Sequence, residues 1–214
     1  MRDVENYGIT EPGEKAQALE IDKNNYIVLN NLGFVLPGVG RFEKAKQCFE
    51  TSIKIKPKKI TKENFSKYGD LISKDNIKPI DINNRYAKRF DNLANVDTLK
   101  NNGQTNISIF QAIKRSFPMQ IDMMEKHPEG SQAFIPMKET TFFVFVAPKG
   151  EKPDINSLES FFISKEVGIN YKPGIWHFPL ISTENMDFLV VDRKGTGENL
   201  IIHNFKEEKI ILET

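Results

Sequence analysis

Short apolar runs, aromatic and β-branched and bounded by turn residues, fill the second half of the chain. Thr141-Phe142-Phe143-Val144-Phe145-Val146-Ala147 stops at Pro148, and Phe188-Leu189-Val190-Val191 stops at Asp192-Arg193. Such side chains fit a pleated, buried surface. Strands are therefore predicted over 105–112, 133–137, 141–147, 158–163, 186–191, 200–202 and 209–212. Polar residues gather where these runs end. In a barrel or sandwich the strand ends line the mouth, which places a small-molecule site there. Two short helices are predicted between the strands. One runs from Thr61 to Gly69, with Phe65 and Tyr68 on one face. Thr61 and Asn64 form only a weak cap, because a capping box wants Glu or Gln at the second position. The other lies within 118–126 and leads into His127.

The first quarter has a different pattern. Residues 1–14 carry Gly8, Pro12 and Gly13 among charges and read as a loose lead-in. Residues 26–59 form one unit that resembles a tetratricopeptide repeat. Leu29, Leu32, Gly33 and Leu36 mark its first helix, and Ala45, Phe49 and Ser52 its second, ended by Pro57. Small residues allow close helix crossing while Leu and Phe fill the seam. Pro37-Gly38 departs from the pattern, since proline clashes with the preceding turn. One repeat cannot bury its apolar face alone. The expectation is a helical segment over 1–57, packed on a second domain over 60–214 or offered to a protein partner.

Charge narrows the function classes. Thirty Lys and Arg against 29 Asp and Glu leave a formal net charge of +1, which gives no bias toward nucleic acid or an acidic membrane. The single cysteine, Cys48, excludes an internal disulfide and fits a reducing compartment. No apolar signal core opens the chain and no run reaches membrane-spanning length, so the cytoplasm is expected.

The chain has three histidines. His203, between Ile202 and Asn204, carries little functional weight. His127 precedes Pro128, which holds it extended; a structural or hydrogen-bonding role suits it. His177, between Trp176 and Phe178-Pro179, is a polar ring in an aromatic strand and requires partners, either in a site or in the core. Asp192 and Arg193 close a buried strand, where they touch substrate or pair with each other. Lys138 is placed either in the site or in solvent.

Two segments carry a resemblance to a known family. Trp176-His177-Phe178-Pro179 and His127-Pro128-Glu129-Gly130-Ser131-Gln132-Ala133-Phe134-Ile135-Pro136-Met137-Lys138 resemble the bacterial ureidoglycolate lyases, and the likeness runs from near Ile60 to the end. It implies a mainly β fold, a cupin-like β-barrel to which the tetratricopeptide-like hairpin is appended. It implies a homodimer and the splitting of ureidoglycolate into glyoxylate and urea in purine nitrogen catabolism. It puts Arg89 at a recurrent basic position of the family. On this reading His177 and Lys138 are catalytic, and Gln132, Arg89, Arg193 and His127 bind substrate. Gln111 and Phe178 stand where the family often has arginine and a second histidine. A cupin metal site uses several imidazoles and a carboxylate, often with a His-x-His segment that this chain lacks. The cofactor is thus left open between a divalent metal and none. The alternative to the enzyme is a small-ligand sensor whose helices recruit a partner.

Overall fold

The computed structural model describes residues 52–206 and 208–213. Two sheets dominate. The first has five strands in the spatial order β3 (Gly69–Ile72), β12 (Gly168–Tyr171), β9 (Gln132–Pro136), β15 (Met186–Lys194) and β6 (Gln104–Ala112). The second runs β16 (Ile201–Asn204), β8 (Met123–Lys126), β13 (Trp176–His177), β10 (Thr140–Ala147), β11 (Glu159–Lys165) and β2 (Lys58–Lys59), with β14 (Ile181–Ser182) also on β10. A hairpin joins β4 (Ile80–Ile82) to β5 (Ala87–Arg89). By itself stands a three-stranded sheet of β1 (Ile53–Ile55), β17 (Ile210–Leu212) and β7 (Met119–Ile121).

Alternation explains the packing of the two large sheets. Phe188 and Val190 of β15, Phe134 of β9 and Ile169 and Tyr171 of β12 share one core with Phe142, Val144 and Val146 of β10 and Phe161 and Ile163 of β11. Every second residue of these strands faces inward, so the sheets meet as a sandwich. Phe142 and Phe188 touch edge to face at 5.1 Å. β10 is central and is buried on both faces, which accounts for its near-continuous apolar run. β3 can lie close against β12 because Gly69 has no side chain: a Cβ there would sit 2.1 Å from the Asn170 carbonyl oxygen.

The mainly β expectation agrees with these sheets; the closed barrel does not. Neither large sheet closes on itself, and each ends in two edge strands. Closure requires the first and last strands to pair, and here β6 and β3, like β16 and β2, remain edges.

The tetratricopeptide-like hairpin is also corrected. Residues 26–51 lie outside the described residues. Where the repeat is described, its second helix is absent: Ile53–Ile55 and Lys58–Lys59 are strands. Among the described residues the α-helix is α1 (Lys62–Phe65), a single turn. Nothing described forms a helical hairpin, so partner docking through one falls with it. α1 carries a full capping box after all. The Asn64 amide donates to Thr61 Oγ1 at 3.2 Å, and the Thr61 amide donates to Asn64 Oδ1 at 2.8 Å. Asparagine is long enough to reach back across this short turn. Phe65 and Tyr68 are fully buried, as their spacing predicts. Among the described residues no helix is long and apolar enough to cross a membrane.

Candidate active site

The inward rows of the five-stranded sheet change character along the strands. Phe110, Phe188 and Pro136 are cross-strand partners, and the next row is Ser108, Val190, Phe134 and Ile169. One step further the row turns polar. Asn106 pairs with Asp192, and Gln132 pairs with Tyr171. Val191 opposes Ala133, so Asp192 falls opposite Gln132. Directly opposed residues share a face, which makes Asn106, Asp192, Gln132 and Tyr171 one inward-facing polar row.

Two imidazoles and a carboxylate lie beside this row. Glu125 of β8 and His177 of β13 are cross-strand partners, and His127 follows β8 directly. The Tyr171 ring stacks on His177 at 4.4 Å and 16°, joining the two sheets at this point. His177 Nε2 lies 3.5 Å from Glu125 Oε1, and His127 Nε2 lies 3.9 Å from the same oxygen. Both rings are anchored from behind. His127 Nδ1 bonds to the Asn199 carbonyl at 2.6 Å and His177 Nδ1 to the Ile175 carbonyl at 3.1 Å. A carbonyl only accepts, so Nδ1 carries the hydrogen and the neutral ring turns its lone pair inward on Nε2. Both Nε2 atoms are buried without a hydrogen-bond partner, as is Gln132 Oε1. Buried polar atoms without partners are uncommon in folded proteins, and here two of them converge on one carboxylate oxygen, which marks a place suited to a ligand.

Electrostatics follow from the same geometry. Burial pushes the Glu125 carboxyl up, but the His177 and His127 rings outweigh it and hold the carboxyl below its ordinary range. Burial, then the neighbouring His177, push His127 down; the Asn199 carbonyl, Glu125 and Asp192 oppose them without prevailing. His127 is therefore neutral near pH 7.

The cluster fits a divalent cation. Its three donor atoms lie within 4.8 Å of one another. Two imidazole nitrogens, each ring fixed by a hydrogen bond from its other nitrogen, and one carboxylate form a donor set that leaves positions open for substrate. A His-x-His segment is not required, because β8 and β13 bring the donors together across a ladder.

Of the residues singled out in the sequence, His127, His177 and Gln132 come together here. Lys138 does not join them. It is exposed and paired with Glu184 at 2.6 Å, in the bend that follows β9, whereas Gln132 opens that strand. Arg89 is exposed on the β4–β5 hairpin and paired with Asp91 at 2.8 Å. Arg193 is buried, but it faces away from the core and donates to the carbonyls of Lys100, Asn101 and Thr196. Asp192 and Arg193 thus lie on opposite faces and do not pair. Glu125 and Tyr171 are the site residues that sequence reasoning passed over. Glu125-Lys126-His127 held a signal, since residues two apart on a strand share a face.

Comparisons with known proteins show the family. A family model described as ureidoglycolate lyase matches residues 52–213. A ureidoglycolate lyase from Pseudomonas fluorescens is 44% identical over 155 residues, covering 72% of this chain and 93% of that protein. One from Pseudomonas syringae pv. tomato is 41% identical over 156 residues, covering 72% and 92%. One from Pseudomonas paraeruginosa is 41% identical over 162 residues, covering 75% and 95%. The family match opens at residue 52, inside the stretch likened to a helical repeat, where the structure has strands instead. With the family model matching residues 52–213 and nearly the whole length of these relatives covered at 41–44% identity, the chain belongs to the ureidoglycolate lyase family.

Proposed function

We propose that this protein is a ureidoglycolate lyase that eliminates urea from ureidoglycolate and leaves glyoxylate, working in the cytoplasm to which its single cysteine is suited. The observation that carries the reading is the pair of unpartnered imidazole nitrogens converging on Glu125 beside a polar row. The substrate carries a hydroxyl, a carboxylate and a ureido nitrogen on one carbon. His177 Nε2 takes the hydroxyl proton. The oxygen's electrons form the glyoxylate carbonyl while the C–N bond breaks and its pair moves onto nitrogen. The same imidazole returns the proton to that nitrogen, and urea departs. Nothing is consumed, so one base that becomes one acid is sufficient. Glu125 faces the ring and stabilises its protonated form. Gln132 Oε1 accepts from a ureido N–H, and His127 lines the opposite side.

The donor set supports a second reading of the same residues. Bound to Glu125, His127 and His177, a divalent cation would supply a Lewis acid for the hydroxy-acid end of the substrate. His177 cannot offer one lone pair to both a cation and a proton, so chelation separates the two.

The test is product analysis on purified protein with racemic and single-enantiomer ureidoglycolate, with and without chelator, beside metal analysis. Equimolar glyoxylate and urea are expected. Folded His177→Ala loses about 100-fold or more in turnover. Activity that survives chelation in metal-free protein favours the free base; loss restored by a divalent ion favours the metal. No glyoxylate above the spontaneous rate under any of these conditions, or ammonia in place of urea, refutes the lyase.

A further inference from the structure

We infer that Asp192 is a specificity-determining residue that grips the ureido end of the substrate together with Gln132, and that its charge sets which way round the substrate lies. The inference rests on the lyase reading and deepens it.

Asp192 belongs to the polar inward row. Met186, Phe188 and Val190 of the same strand lie in the core, so Asp192, two further on, points to the same side. Gln132, opposite Asp192, is the cross-strand partner of Tyr171, whose ring stacks on His177 at 4.4 Å, so the row runs up to the histidine pair. It is half-buried, and among the described residues it has no ion-pair partner. Asn106 Nδ2 donates to its Oδ1 at 3.0 Å. That bond fixes the carboxylate and leaves Oδ2 as an acceptor with no protein donor. Across the strand pair, Gln132 Oε1 is another acceptor without a partner, and it is buried. Directly opposed side chains on neighbouring strands stand about 5 Å apart.

Two adjacent acceptors, one of them charged, call for a ligand with several N–H groups and no negative charge at that end. A ureido group has both properties, with two hydrogens on its terminal nitrogen and one on its inner nitrogen. The glyoxylate half has no N–H and carries a carboxylate, which Asp192 repels. The row therefore accepts the ureido end and leaves the hydroxyl of the neighbouring carbon toward His177, where the chemistry occurs. Arg193, next in sequence, cannot take this part, because it faces the other way and is held by loop carbonyls.

Product inhibition reads the two halves of the pocket separately. Asp192→Asn keeps an oxygen for Asn106 and converts the free acceptor into a donor. A hydrogen bond to a charged group contributes about 1.5–3 kcal/mol, or roughly 10- to 150-fold in affinity. In D192N the inhibition constant for urea and the KM for ureidoglycolate should each rise by about tenfold or more, while the constant for glyoxylate changes by less than about twofold. In the unvaried protein urea should inhibit, and tetramethylurea, which has the carbonyl but no N–H, should not. That comparison stands even if D192N fails to fold. The inference is overturned if tetramethylurea inhibits as well as urea does, or if folded D192N retains the parent's urea constant. It is also overturned if D192N weakens glyoxylate as much as urea. Failure of the lyase reading looks different: the unvaried protein then makes no glyoxylate from ureidoglycolate.

Discussion

Replacing Glu125 with glutamine keeps the size of the side chain and removes one charge from the centre of the site. The carboxylate oxygen lies 3.5 Å from His177 Nε2 and 3.9 Å from His127 Nε2. At 3.5 Å the attraction between a carboxylate and a protonated ring is about 1 kcal/mol in water and about 5 kcal/mol at an effective dielectric of about 20. Glu125 is partly buried, with its side chain 20% exposed, so a value of about 2–3 kcal/mol is expected. That corresponds to a fall of roughly 30- to 150-fold in kcat/KM if the protonated ring forms in the transition state. The pH profile should move as well. The charge of Glu125 helps hold up His127 against burial, so if a protonated His127 blocks the reaction, its loss shifts the acid limb to lower pH. The assay follows glyoxylate release between about pH 5 and pH 9, with metal content measured on the same samples. If E125Q loses bound metal and excess metal restores its rate, the carboxylate acts as a ligand. A folded E125Q within about threefold of the parent, with an unmoved acid limb and unchanged metal content, would falsify the assignment of Glu125 to the chemistry.

Two further outcomes follow from where side chains lie. Lys138→Met should leave kcat and KM within about twofold, because exposed pairs such as Lys138–Glu184 contribute little; a loss above about tenfold in steady-state kinetics would place Lys138 in the reaction. Burial pushes Glu159 up, but Lys67, Tyr68 and Lys58 outweigh it and hold the carboxyl at about 2. A depressed carboxyl stabilises the fold above its unfolded pKa and loses that contribution as pH falls toward about 2. Glu159→Gln should therefore flatten the acid side of stability measured by chemical denaturation, and an unchanged acid limb would count against the network.

The apolar strands were legible because each carries its own signal: strands predicted at 133–137 and 141–147 are β9 and β10, displaced by one residue at the ends, and the one predicted at 186–191 is β15, which runs on to Lys194. The site was legible only in part, and each omission has a structural cause. Residues 118–126 read as a short helix but fold as two strands, Met119–Ile121 and Met123–Lys126. In a helix Glu125 and His127 diverge; at the end of a strand they share a face, and only then does the pair become visible. Lys138 is near Gln132 in sequence, but an extended chain turns six residues into distance. Arg193 and Asp192 are neighbours, yet the pleat sends one outward and the other in. Barrel closure depends on whether edge strands far apart in the sequence pair, which no local pattern reports.

The pocket and the core are set by a single register. Phe188 against Pro136 and Val190 against Phe134 keep the aromatic side chains inside, and the same pairing brings Asp192 opposite Gln132. A slip of one residue would expose Phe188 and Val190 and turn Arg193 inward in place of Asp192. Burying a side chain such as Val or Phe stabilises by about 1.5–3 kcal/mol, so moving several of them into water makes the slipped register strongly unfavourable. The polar row carries no comparable preference of its own, since burying its members exchanges hydrogen bonds to water for ones within the protein and leaves Gln132 Oε1 without any. Apolar alternation two to four residues away therefore decides which polar groups meet the histidines. A substitution at Val190 or Phe134 that lets the strands shift would remove activity without touching a site residue.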